Sequence, residues 1–388
     1  MKCGVALHCM YTDDWKRILK EDWSRSPDPA DHVKWDEVID LGDRIEPLGF
    51  DSLWSVEHFA TPYGMVPNSL QHLAFWAGRT SRVDLGTCVI VLPWHHPIQV
   101  AHEIAMLDIL LQGRSYTIGV GRGLSPKEFD PLGIPQGESR DRFDESLDII
   151  KLGLSSERFS YDGKIFSIPE TSIRPQPRNK AIWDGAMGAF MTEASMGSIA
   201  KAGLGAIVVS PQSFDKVASN MRIFNRIRSE NGLEPNAQPM LLLWAYCVGN
   251  ADDVAPGKKY FEKFERDGAL HYGFADPSTF ANVKGYEQYA AMATPGSDTS
   301  KQVGFVPGGR TEDAPDAAEN QLMGTPDQII EKAREMQRIT GAKEIAVNFN
   351  FGGMPHDMCV KSMDLFAREV LPAIHEMSAE PAEVALTS

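Results

Sequence analysis

Eight short apolar runs punctuate the chain: CGVALH (3–8), SLWSV (52–56), VDLGTCVIVL (83–92), YTIGVG (116–121), IWDGAM (182–187), AIVVS (206–210), PMLLLWAYCVG (239–249) and EIAVNFNF (344–351). Most are nearly continuous in apolar residues, the pattern of strands covered on both faces. Between them, apolar positions recur at three- and four-residue steps. In 35–49, Val38, Leu41, Ile45 and Leu48 line one helical face and Gly49 stops the helix. Segments 98–111, 138–153, 192–203, 214–231, 325–340 and 357–374 follow the same rule. Thr325 before Pro326 predicts a capped start, and Gly232 and Gly341 predict stops. Eight strands alternating with helices predict an α/β fold, a (β/α)8 TIM barrel; a doubly wound sheet is the competing topology.

Three stretches exceed a normal connection: 9–34, 154–181 and about 251–323. They read as insertions after strands 1, 4 and 7. Within the second, SYDGKIF predicts a hairpin turning at Asp162–Gly163. Loops that follow barrel strands gather over the C-terminal mouth, so the first and third insertions are expected to shape a substrate pocket. The reading is one domain over 1–376 with an excursion at about 251–323, and a disordered tail over 377–388.

Composition narrows the function. With 38 basic and 53 acidic side chains the net charge is −15, which excludes a nucleic-acid wrapper lacking a basic face. Five cysteines, none spaced C-x-x-C, argue against a disulfide framework or zinc ribbon and for a reducing, cytoplasmic setting. No apolar run approaches the ~18 residues of a membrane span. The opening MKCGVALHCMYTDDW turns acidic too soon for a signal peptide and reads as the first strand.

Several catalytic signatures are absent. In YTIGVGRGLSPKEF (116–129), a dinucleotide fingerprint G-x-G-x-x-G fails from both starting glycines, at Leu124 and at Pro126. There is no Walker A pattern, no H-E-x-x-H, no H-x-H after strand 1 and no G-x-S-x-G, so no metal ligand set emerges. His95 and His96 are adjacent and cannot chelate from one side of a strand.

Three stretches remain. Gly119 and Gly121 could let a ligand approach the barrel wall, with Arg122 offering a planar cation to a phosphate; alternatively Arg122 pairs with Glu128 or Asp130. Glu57 and His58 lie just past strand 2, where the carboxylate could orient the imidazole, or where His58 is merely packed. In DGAMGAFMTEAS, Thr192 caps a helix containing Ser195, either an anion site or an ordinary cap.

Taken as an ordered series, GFDSLWSVEHF, RVDLGTCVIVLPWHHPIQVAHEIAMLDILLQGRSYTIGVGRGLSPKEFDPLGIP, SRDRFDESLDIIKLGL, YDGKIFSIPE, GTPDQIIEKAREM and NFNFGGMPHDMCVKSMDLFAREVLPAI resemble the bacterial luciferase-like flavin-dependent monooxygenases. The resemblance implies a (β/α)8 barrel, usually dimeric, that takes reduced FMN from a separate flavin reductase. Dioxygen adds to the flavin C4a carbon, and the peroxide oxygenates a small apolar organic substrate. It implies that Arg122 holds the FMN phosphate, that Gly121 lies near the flavin, and that Ala186, Met187, Gly188 and Thr192 form a phosphate-binding turn. It implies that Cys88 and Val89 touch the isoalloxazine ring through a non-proline cis peptide, and that His58 handles protons. Trp15, Trp23, Trp54, Trp94 and Trp244 are candidate walls that exclude water. The family's second histidine is Phe59 here, and its S-P-E helix start is Met191–Thr192–Glu193. Within the same barrel the alternative is an F420-dependent oxidoreductase; outside enzymes, it is a non-catalytic flavin-binding protein.

Overall fold

The computed structural model describes residues 1–11, 13–18, 22, 24–209, 213–274, 276–293 and 317–379. Its strands are β1 (Lys2–Leu7), β2 (Ser52–Ser55), β3 (Asp84–Thr87), β4 (Ile90–Val91), β5 (Tyr116–Thr117), β6 (Gly119–Gly121), β7 (Phe159–Asp162), β8 (Ser167–Thr171), β9 (Met187–Ala189), β10 (Gly205–Val209), β11 (Pro239–Cys247), β12 (Leu322–Gly324) and β13 (Glu344–Asn348). The main sheet runs β4-β6-β9-β10-β11-β13-β1-β2-β3-β5, and its pairings are parallel. β3 and β4 are two halves of one run, as are β5 and β6. Because β3 pairs with β5 and β4 with β6, the sheet closes on itself as an eight-position barrel. The Thr87 hydroxyl donates to the Gly119 carbonyl and accepts from the Gly119 N–H, both at 2.8 Å, stitching the two interrupted positions.

A helix follows each position: Asp31–Ile45, Ser69–Arg79, Pro97–Leu110, Ser139–Ser155, Glu193–Lys201, Phe214–Glu230, Pro326–Thr340 and His356–Glu369. The Thr325 start is a full capping box with Gln328, and Gly341 ends the helix at φ 64°. Residues of the barrel strands are buried almost throughout, all nine in β11, as parallel strands under helices must be.

Local departures from the sequence pattern have physical causes. The expected strand 182–187 is a 3₁₀ turn over Ile182–Gly185 followed by the short β9, because polar Asp184–Gly185 breaks the run before Met187 N–H reaches the Ile118 carbonyl. The expected strand 83–92 is interrupted at Cys88–Val89, whose peptide bond is cis. The helix Ser69–Arg79, capped by Asn68, has no counterpart in the pattern reading, although Leu70, Leu73 and Trp76 lie buried along it. The hairpin β7–β8 turns where Asp162–Gly163 predicts.

The stretch after β11 holds another unread helix, Ala255–Tyr272, with Phe261 and Phe264 buried against the barrel. A second apolar cluster of Leu124, Ala269, Phe274, Phe280, Tyr286 and Tyr289 joins this excursion to the loop after β6. Residues 294–316 of the excursion lie outside the described residues, as do Ser210 of the expected sixth strand and 380–388 of the expected tail. The carbonyls of Met377 and Ala379, at the start of that tail, accept hydrogen bonds from the chain's amino terminus and from Gln238.

Candidate functional site

β6 ends at Gly121 and delivers Arg122 to the C-terminal mouth. The Arg122 side chain is buried, with 8% exposed. Its guanidinium lies over the Tyr286 ring, 4.0 Å from the centroid, and Nη1 is 3.5 Å from the Ser139 hydroxyl. Neither carboxylate considered as its partner reaches it. Glu128 is engaged elsewhere, Asp130 is exposed, and among the described residues no carboxylate lies within 4.0 Å of the guanidinium. A buried cation without a counter-ion is costly unless an anion joins it.

A second arginine completes the cluster. Arg140 opens the helix Ser139–Ser155, and its Nη2 donates to the Ser195 hydroxyl at 3.1 Å. Burial first, then the nearby charge of Arg122, holds the Arg140 guanidinium below its ordinary range. Ser195 is tied to Thr192, whose hydroxyl oxygen accepts the Ser195 N–H at 3.3 Å and whose O–H donates to Ser195 Oγ at 3.1 Å. Arg122, Ser139, Arg140, Ser195 and Thr192 therefore form one continuous polar run ending at a helix N-terminus. Two cations, hydroxyl donors and a helix start are the donor set of a phosphate site. The sequence reading missed Arg140. The signal was an arginine in the first turn of a helix, where the macrodipole disfavours cations.

The remaining predicted cofactor residues gather beside this run. Val91 pairs with Gly121, Met187 with Gly119, and Gly188 with Val120. Ala186 and Met187 are buried. The glycines also let neighbouring elements approach closely. A Cβ on Gly119 would strike the Thr87 carbonyl, and one on Gly121 would lie 2.5 Å from Val89 Cγ2. A Cβ on Gly188 would come within 2.8 Å of Ile199, so glycine there lets the helix Glu193–Lys201 sit close to the wall. Burial pushes the Cys88 thiol up to about 12, so it is a neutral apolar wall.

His58 sits at the mouth beyond β2, and its carboxylate partner is not Glu57. His58 Nδ1 lies 2.9 Å from Glu128 Oε1, which also accepts the Phe59 N–H at 3.0 Å. Glu57 turns the other way: it accepts Ser69 N–H at 3.2 Å and Val91 N–H at 2.6 Å, and meets His95 Nε2 at 3.2 Å. The second Glu128 oxygen lies 3.4 Å from His271 Nε2. Burial alone would push the Glu128 carboxyl up, but the closeness of the His271 and His58 imidazoles and of their ring N–H groups outweighs it and holds it at about 2. His58, Glu128 and His271 offer ligand atoms within 4.8 Å of one another, yet each carboxylate oxygen already faces a ring nitrogen. Glu128 Oε1 is thus hydrogen-bonded by His58 and Phe59, and Oε2 faces His271 Nε2 at 3.4 Å. His8 stacks on His58 at 5.3 Å, and burial pushes its imidazole well below the ordinary value.

Of the tryptophans offered as pocket walls, Trp54 belongs to the core, its indole N–H directed at Ser52 and Glu344. Trp94 and Trp244 are buried with indole N–H groups that have no partner among the described residues. Trp23 and the Trp15 side chain lie outside the described residues.

Comparison with known proteins places this geometry. Residues 21–343 match the family model described as luciferase-like monooxygenase. The alkanal monooxygenase alpha chain of the Kryptophanaron alfredi symbiont is 24% identical over 355 residues, covering 88% of this chain and 93% of that one. Among solved structures, the FMN complex of the oxygenating constituent of 3,6-diketocamphane monooxygenase from Pseudomonas putida superposes with a TM-score of 0.68 at 18% identity, covering 96% of this chain and 98% of that one. An F420-dependent secondary alcohol dehydrogenase superposes with a TM-score of 0.66 at 17% identity, covering 96% and 98%. The barrel and the match along most of its length assign the chain to the luciferase-like monooxygenase family.

Proposed function

We propose that this protein is a two-component monooxygenase that uses reduced FMN and dioxygen to oxygenate a small apolar organic substrate, with a separate flavin reductase supplying the reduced flavin in the cytoplasm. The observation that carries the proposal is buried Arg122 and half-buried Arg140, neither with a carboxylate within 4.0 Å among the described residues, in a run through Ser139 and Ser195 to the Thr192 helix start. These residues fit a phosphate dianion in charge and in donor type. Bound reduced flavin supplies the electrons that activate dioxygen.

The chain's own residues have separate tasks. Arg122, Arg140 and Thr192 hold the phosphate, assisted by the turn of Ala186, Met187 and Gly188. Cys88, Val89 and Gly121 form the wall against the flavin ring. His58 holds or moves a proton at Nε2, the ring nitrogen not turned to Glu128. The aromatic cover of Phe264, Tyr63 and Tyr272 keeps water from the mouth. A homodimer fits the outer surface. Helices Ser69–Arg79 and Pro97–Leu110 expose Phe75, Met106 and Leu110 at 43%, 49% and 50%.

F420 also occurs on this barrel, in the dehydrogenase above. Anaerobic titration with reduced FMN and with reduced F420, followed by fluorescence, separates the two. Saturable binding of reduced FMN supports the proposal; binding of F420 alone replaces it.

A further inference from the structure

His271 lies outside every motif that points to function. It is fully buried on the last turn of the helix Ala255–Tyr272, in the excursion after β11. Its Nε2 faces Glu128 Oε2 at 3.4 Å and its Nδ1 faces the Thr61 hydroxyl at 3.0 Å. The ring stacks on Tyr63 with centroids 4.3 Å apart, and the His271 carbonyl accepts the Ser125 hydroxyl at 2.7 Å. Ring and backbone are thus held from four sides.

These contacts determine where the ring protons are. An ionised carboxylate only accepts hydrogen bonds. The nitrogens facing Glu128, His58 Nδ1 and His271 Nε2, must therefore carry hydrogen. Burial pushes the His271 imidazole below its ordinary value, so the ring is neutral and its Nδ1 accepts from Thr61. Among the described residues, the other titratable groups around the pair include His8, Tyr63, Tyr272, Lys127 and Asp267. Among the described residues, Glu128 Oε1 is taken by His58 and Phe59, and Oε2 lies 3.4 Å from His271 Nε2.

We infer that His271 is a positioning residue for His58: with Thr61 it pins the Glu128 carboxylate, so that the hydrogen facing that carboxylate stays on His58 Nδ1 and Nε2 is the ring nitrogen left for the barrel mouth. The inference rests on the reading of His58 as the proton-handling residue. It adds that the excursion after β11 completes the proton site as well as covering it. Glu128 is one acceptor with two oxygens: Oε1 takes the His58 and Phe59 N–H groups, and Oε2 faces His271 Nε2 at 3.4 Å. Loss of the His271 N–H frees one oxygen, lets the carboxylate rotate, and removes the constraint on the His58 tautomer.

The test is long-range proton–nitrogen NMR on the full chain labelled with nitrogen-15 histidine, recorded without flavin or substrate. The expected result for the unaltered chain is one tautomer for each ring, Nδ1–H for His58 and Nε2–H for His271. In His271→Phe, His58 should pass to a mixture in which the Nε2–H form rises several-fold. His271→Gln, which keeps an N–H donor, should restore the single form. A folded His271→Phe chain that keeps His58 wholly as Nδ1–H overturns the inference. If His271→Phe does not fold, Thr61→Val serves: the His271 signal should split between tautomers, and an unchanged Nε2–H signal overturns the inference. Because no cofactor is present, this result stands apart from that of the flavin titration.

Discussion

His58 Nδ1 lies 2.9 Å from an oxygen of Glu128, seventy residues along the chain, and not against the carboxylate of Glu57 beside it. Neighbours in extended chain point to opposite sides. Glu57 accordingly faces back into the barrel wall, where it fastens Ser69 and Val91. The site thus contains an imidazole oriented by a buried carboxylate.

This pairing separates two substitutions. His58→Ala should lower turnover by ~10²–10⁴-fold with flavin affinity nearly intact, as loss of a general acid–base does. Glu128→Gln should lower turnover less and displace the pH profile. Glu57→Gln should instead lower thermal stability, because it weakens the acceptor for two backbone N–H groups. Steady-state kinetics and melting curves distinguish the three; near-normal turnover in His58→Ala returns that residue to a packing role.

Arg122 and Arg140 are predicted to act on binding and not on chemistry. Arg122→Ala should weaken reduced FMN binding by on the order of 2–4 kcal/mol, since it removes one partner of a buried charge pair. Arg140→Ala should weaken it in the same direction and by less, because Arg140 is the less buried of the two. Anaerobic fluorescence titration measures both.

The barrel was legible because parallel strands under helices must be nearly continuous in apolar residues. That period marks β1, β2, β10, β11 and β13 to within a few residues. Position five was not, because Ile182 and Trp183 are buried by a 3₁₀ turn and not by a strand. Arg122, Thr192 and His58 could be read from local sequence. Their partners could not: Glu128, His271 and Arg140 are brought in by tertiary folding, and the nearest residue in sequence, Glu57, is the wrong carboxylate. The Tyr286 ring over Arg122 comes from the excursion, whose sequence carries no period that announces it.

Buried neutral histidines predict how stability depends on pH. His72 Nε2 accepts the Trp76 indole N–H at 2.8 Å, and Nδ1 faces the Ser55 hydroxyl at 2.8 Å. Burial pushes its imidazole down to about 4. The unfolded chain, with histidine near ~6.5, binds more protons between these values. Stability should therefore be full above ~6.5 and fall as the pH drops towards about 4. His8 and His271, also lowered by burial, add the same sign. Denaturant midpoints at several pH values check this, and His72→Gln should flatten the slope.

The apolar outer helices predict association. Light scattering should give the mass of two chains, and Phe75→Glu combined with Leu110→Glu should give the mass of one with the barrel still folded by circular dichroism. A single-chain mass for the unaltered protein contradicts the homodimer.

The most direct test of the central claim is an anaerobic titration of the chain and of Arg122→Ala with reduced FMN. The account predicts saturable binding to the unaltered chain and a loss of roughly thirty-fold or more in Arg122→Ala, the equivalent of about 2 kcal/mol. Equal affinity in the two proteins, or no binding of reduced FMN to either, would contradict it.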